Sequence, residues 1–416
     1  MYMSKIKLLL FVLLAVSAVL ADNFSQFLGE NRNGVVTTGK KLLKKWPAEG
    51  PKELWRVKVG GGFAAPVVFE DKLFILDYNT DKEEDTVKCL DMKDGKEAWS
   101  YGYPSKIKPS QYDYSRTVPA VNGKYVVTLG TNCLVSCLEK DSGKLAWQKN
   151  LVKEYGSKVP GWYAGQNPLI DGDKVIILVA GDKVLMAAFD LASGKTAWET
   201  PCESNWGMTH NSITVMDFEK EKFYIGCSKK GAFGVAAADG KLRWTHPGWT
   251  VKTANIPAPL VIGKDRIFFT GGYGAGSLIL GLKKNGNEVV TEEITRLTEK
   301  DFGSKVQTPI LYKDNIYGAS GEIYCLDLNG KVLWKSSKVK VGLGPCLIID
   351  GLLYVLGDTG TLFLLEPTAS GYKEISKFAA LTGKQMWAPL AVSGGKLVIR
   401  SMTEMLCLDI AESGAK

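Results

Sequence analysis

A recurring set of cations, amides and aromatic residues lies just ahead of short apolar runs, and these side chains have chemistry to offer. They are Tyr112, Arg116, Trp162, Gln166, Asn167, Trp206, His210, Asn211, Lys252, Asn255, Gln307 and Trp387. Arg116 presents a forked donor that suits a carboxylate, Lys252 adds a point charge, and Trp162, Trp206 and Trp387 offer flat faces. Together they describe a receptor for a planar, anionic group, a description that a quinone carboxylate, a peptide end or an acidic sugar would meet. The same residues also suit a plainer role, satisfying one another and ordered water around a polar rim. His210 and His246 are the only histidines. His210 suits a base or donor near neutral pH or, as the favoured plainer reading, a hydrogen-bonded loop histidine, whereas His246, between Trp244 and Trp249, reads as structural. Asp113, Asn167, Asn211 and Asn255 supply oxygen donors, but with a single carboxylate and no ion-loop spacing no metal site is expected.

What positions these residues is a repeat. The stretch Asp190-Leu191-Ala192-Ser193-Gly194-Lys195-Thr196-Ala197-Trp198 has relatives ending at Trp99, Trp147, Trp244 and Trp334. In each, an apolar run ends in an acidic residue, a Gly-containing turn follows, and a second run leaves carrying the tryptophan, which is the pattern of a hairpin. Lys283 to Ile294 keeps the turn at Asn285-Gly286 and replaces the tryptophan with valines. A second marker gives the count: Pro66, Pro119, Pro168, Ser212, Pro259, Pro309, Pro345 and Pro389 each precede an apolar run, a turn and another apolar run. Eight units of about 40–50 residues with four short strands apiece predict an all-β, eight-bladed propeller. The strand around Trp55 precedes the first marker, so it is expected to complete the blade built by 397–400 and 405–409 and so close the ring.

In a four-stranded meander, the loop into each blade and the turn between its second and third strands share one face. The Asp-Gly-Lys turns occupy the other. The candidate residues therefore ring one mouth of the central channel, where propellers bind ligands. The loops at 60–65 and 341–344 are small and apolar, so the site is expected to favour blades two to six. The run Gly271-Gly272-Tyr273-Gly274-Ala275-Gly276 has no helix pattern after it and reads as a turn on this same face rather than a phosphate loop.

Residues 1–21 carry Lys5 and Lys7, an apolar core and a small-residue end at Ala21, which predicts a cleaved export signal. Residues 22–50 form a non-repeating lead-in, pinned by Phe24 and Phe27, and 51–416 form the propeller. The formal charge of +8 includes two lysines of the leader, leaving +6, with 44 acidic residues interspersed among the bases. Without a basic stripe, nucleic acid is not an expected partner. Of the eight cysteines, Cys89, Cys137, Cys325 and Cys407 hold one repeat position in different blades, too far apart to bridge. No metal-binding cysteine spacing is present.

The Asp-x-x-(Ser/Asp)-Gly-Lys-x-x-Trp copies resemble the pyrroloquinoline quinone (PQQ) repeat over nearly all of the exported chain. Gln26-Phe27-Leu28-Gly29-Glu30-Asn31-Arg32-Asn33-Gly34 is similar to an opening common in exported members of that family. The resemblance implies an eight-bladed propeller whose tryptophans dock between blades. The family contains quinoprotein dehydrogenases and cofactor-free scaffolds, one being the propeller subunit of the bacterial outer-membrane assembly machine. The adjacent Cys-Cys pair typical of the dehydrogenases is absent, as is a CxxCH haem motif. The leading expectation is an exported, monomeric binding or protein-interaction scaffold, periplasmic or secreted, with a protein partner or small anionic ligand. The alternative is a dehydrogenase oxidising an alcohol or sugar, with PQQ and Ca²⁺ as its implied cofactors.

Overall fold

The computed structural model describes residues 23–108, 114–203 and 206–412; the expected export signal lies outside them. Each repeat forms a four-stranded antiparallel sheet because its apolar runs alternate with turns too short for any other connection. Blade 1 comprises Val67–Phe69, Lys72–Asn79, Glu84–Asp91 and Glu97–Pro104. Seven further blades follow in sequence order, and their innermost strands begin at or just after each of the remaining markers. Val67–Phe69 of blade 1 lies beside Ala391–Ser393 of blade 8. Blade 8 takes its outermost strand, Lys52–Lys58, from the start of the chain, which closes the ring.

Adjacent blades are latched by the tryptophans. Trp147, on the outermost strand of blade 2, donates from Nε1 to the Leu191 carbonyl of blade 3 at 2.9 Å. Its ring lies on Gly194, where a Cβ would sit 2.6 Å from the indole. Gly194 also needs φ +68°, so the turn glycine serves its own hairpin and the neighbouring blade at once. Trp99 on Lys140, Trp55 on Met92 and Trp334 on Thr368 make the same indole-to-carbonyl bond. A bulge beside each of these tryptophans re-aims the side chain toward the next blade. The residue facing it on the neighbouring strand is small: Cys89, Cys137, Cys325 and Cys407 oppose Trp99, Trp147, Trp334 and Trp55. That pairing explains the repeated cysteine, and all eight cysteines are free thiols.

The lead-in enters the channel from the face of the Asp-Gly-Lys turns. Phe24 pairs with Val68 of blade 1, the Ser25 carbonyl accepts from Val121 of blade 2, and Gln26 Oε1 accepts from Ile170 of blade 3. Val35–Val36 then adds a parallel strand to the inner edge of blade 7 beside Ile348 and Ile349. Between these anchors, Arg32 donates to the carbonyls of Ile213 and Pro168 at 3.0–3.2 Å. Burial pulls its guanidinium down to about 9. Gly34, at φ +72°, passes so close to Ile310 of blade 6 that a Cβ would lie 2.9 Å from it. The segment expected to be merely pinned to the propeller thus plugs its channel, with Gln26 tied to blade 3 and Arg32 bridging blades 3 and 4.

Candidate functional site

Above the plug, at the channel mouth encircled by the blade-inlet loops, lies a cavity of about 270 Å³. Phe27 of the lead-in lines it, together with Phe63, Arg116, Trp162, Asn167, His210, Tyr273, Lys305, Gln307 and Trp387. Six of the twelve residues singled out from sequence converge here: Arg116, Trp162, Asn167, His210, Gln307 and Trp387.

The cations lean on aromatic faces. The Arg116 guanidinium lies 5.5 Å from the Phe63 ring centroid and the Lys305 ammonium 4.6 Å from that of Tyr273. Trp387 stacks on Phe63 at 5.2 Å and 19° and donates from Nε1 to Asp358 Oδ1. Asp358 also accepts from the Leu343 amide, and burial raises its carboxyl above the usual range. Trp162 lies 6.3 Å from the His210 ring. Trp162, Tyr163, Tyr114 and Tyr273 all adopt φ between 58° and 96°. Bulky residues rarely accept that conformation, so aromatic side chains are held at this mouth against local backbone preference.

Of the two sequence readings of His210, the base near neutral pH is the one its surroundings disfavour. This histidine is 4% exposed, and burial, followed by the charge of Arg116, pulls its imidazole down to about 3, while the Gly161 and Tyr163 backbone pulls weakly the other way. Neither ring nitrogen has a well-aligned partner among the described residues. The ring is therefore neutral at physiological pH and offers one donor and one acceptor.

Asn167 and Gln307 line the cavity while tying the ring together. Asn167 Oδ1 accepts from Val118 of the blade 2 inlet and its Nδ2 donates to Ser212 of the blade 4 inlet. Gln307 Nε2 donates to the Trp387 carbonyl. The remaining candidates stand elsewhere. Gln166 is buried and bonded both ways to the Leu178 backbone. Asn211 bridges the Pro257 carbonyl and the Cys227 amide. Asn255 lies against the Cys227 thiol, and its backbone carbonyl accepts from the His210 amide. Trp206 packs edge-on to Phe233 at 5.8 Å, Lys252 is exposed away from the cavity, and Tyr112 lies outside the described residues.

The cavity is not lopsided. The loops at 60–65 and 341–344 contribute Phe63 and Leu343, because Gly60, Gly61 and Gly62 let the backbone cross close to Tyr78 and Ser115. Lys305 and Tyr273 were also not singled out. Lys305 stands in a polar inlet loop like Lys252, and Tyr273 in the glycine-rich run, which does form the second-to-third-strand turn of blade 5.

Eight interlocked blades around a plugged channel define a propeller of the PQQ-repeat class. A family model described as outer membrane protein assembly factor BamB matches residues 26–111 and 83–336, and the chain belongs to this family. BamB of Yersinia pestis is 22% identical over 293 residues, 68% of this chain and 70% of the relative. The structure of BamB from Moraxella catarrhalis has a TM-score of 0.58 at 15% identity, covering 86% of this chain and 99% of that one. Quinohemoprotein alcohol dehydrogenase from Comamonas testosteroni gives 0.64 at 11% identity, covering 95% and 82%. These structural likenesses establish fold and leave chemistry to the site.

The cavity fits a calcium-bound quinone poorly. Its described lining holds no carboxylate, the nearby Asp358 is committed to Leu343 and Trp387, and Phe63 covers a face of Trp387. Among the described residues, no three His, Cys, Asp or Glu side chains gather as a metal site. No redox step is assigned to these residues.

Proposed function

We propose that this protein is a binding propeller, an exported protein-interaction scaffold that docks its partner through the inlet face. The observation that carries this reading is the cavity at that mouth, closed beneath by Phe27 and lined by Arg116 and Lys305 with no described carboxylate. Such a site attracts a negatively charged group, and its aromatic walls hold an adjoining apolar one. The family's description as an assembly factor supports a role in bringing proteins together. Export to a periplasm or the exterior rests on the leader sequence, and no described helix is long and apolar enough to cross a membrane.

The test is site-directed photo-cross-linking in the native envelope, with the photoreactive residue replacing Lys305 on the inlet face or Lys195 on the turn face. The reading predicts a discrete adduct from position 305 and none from 195. Adducts confined to 195, or none at 305, contradict it.

A further inference from the structure

We infer that the inlet cavity receives the carboxy-terminal residue of a partner polypeptide, an inference that rests on the binding-propeller reading above. The charge is the first reason. Arg116 stands before the innermost strand of blade 2, Ala120–Val121, and Lys305 before that of blade 6, Ile310–Tyr312. Blades 2 and 6 lie four apart in a ring of eight, so the two cations reach the cavity from opposite walls. A carboxylate entering along the channel axis meets positive charge on both sides.

The second reason is the neutral group between them. His210 lines the same cavity, is almost fully buried, and has no well-aligned partner for either ring nitrogen among the described residues. A neutral imidazole needs an acceptor for its N–H and a donor for its bare nitrogen; the Gly161 and Tyr163 backbone stands beside the ring as a poorly aligned acceptor, and the bare nitrogen lacks a donor among the described residues. A peptide end supplies the complement within one residue: a carboxylate for the cations, and an amide N–H for the imidazole. The aromatic walls suit an apolar terminal side chain.

The third reason is that the channel is a dead end. The lead-in, fixed by Arg32, seals the channel below Phe27, so a chain entering from the inlet face cannot thread through. At about 270 Å³ the space lies just under that of ordinary drug-sized pockets, ~300–1,000 Å³. That is room for about one terminal residue within the walls.

The experiment is isothermal titration calorimetry of the full exported chain with an acetylated tripeptide ending in phenylalanine, as the free acid and as its carboxy-terminal amide. Succinate serves as a carboxylate without a peptide. The inference predicts saturable one-to-one binding of the acid and, from loss of a charge-assisted contact, an amide weaker by about tenfold or more. Lys305→Gln, at a half-buried position, should weaken the acid with no change in melting temperature. His210→Phe should weaken acid and amide alike. Equal affinities for acid and amide, no binding of either, or succinate binding as tightly as the acid would each overturn it. If the peptides fail while position 305 still cross-links a partner, the terminal-carboxylate inference falls and the inlet-face reading stands; if both fail, both fall.

Discussion

The latch between blades 2 and 3 makes a quantitative prediction. Trp147 is 9% exposed, and replacing it with alanine removes a large buried ring and orphans part of the Leu191 carbonyl's bonding. Large-to-small core changes of this kind cost about 3–5 kcal/mol. Trp147→Phe keeps most of the packing and loses the indole hydrogen bond, for about 1 kcal/mol. Gly194→Ala should cost through two routes. The left-handed backbone at φ +68° adds about 1–2 kcal/mol for any residue with a Cβ, and the methyl placed 2.6 Å from the indole adds about 1–3 kcal/mol of overpacking. In a Trp147→Ala background the second route vanishes and only the backbone cost remains. The double mutant should therefore be more stable than additivity predicts by about 1–3 kcal/mol, measured from urea midpoints by circular dichroism at constant m. Additivity within about 0.5 kcal/mol would refute the claim that the turn glycine leaves space for the neighbouring blade's indole.

Other outcomes follow from the cavity and the groups buried beside it. Arg116→Ala should weaken an anionic ligand by about 1.5–3 kcal/mol, the range for hydrogen bonds to charged groups, by calorimetric titration; an unchanged affinity removes Arg116 from the site. His210, pulled from 6.5 to about 3 in the folded chain, binds fewer protons than when unfolded. Its contribution to stability is full above pH 6.5 and is lost as pH falls toward 3, on the order of 4–5 kcal/mol. His210→Gln should flatten that acid limb in urea titrations, and an unchanged limb would show that the imidazole is not buried neutral. Asp85, buried and bonded to Thr131, has the opposite sign: burial raises it to about 6, so stability rises as pH falls from 6 toward 3.8. Asp85→Asn should remove that rise, and a rise that persists would assign it elsewhere.

The blades were legible because their signals are local and repeated. A proline fixes the start of an innermost strand, a glycine fixes the hairpin, and a tryptophan recurs at one outgoing position. The closing strand was legible because Trp55 lacked a partner of its own. The cavity was only half legible, since facing a channel is a property of the ring and not of a loop. Lys252 and Lys305 occupy similar polar inlet loops, yet only Lys305 finds an aromatic neighbour, Tyr273, on which to lie. Trp206 turns back onto Phe233, a packing choice made by a residue 27 positions away. The plug carried no periodicity at all. Gln26, Arg32 and Gly34 are explained by blades 3, 4 and 6, which nothing in the local sequence announces.

The central claim is that partners are held at the inlet face through its cations. The most direct measurement is quantitative affinity capture from the native envelope, comparing the wild-type chain with an Arg116→Glu, Lys305→Glu double variant shown to melt at the same temperature. The account predicts that the species cross-linked at position 305 is retained by the wild type and lost from the variant. Equal recovery by both would contradict it and move the search to the opposite face.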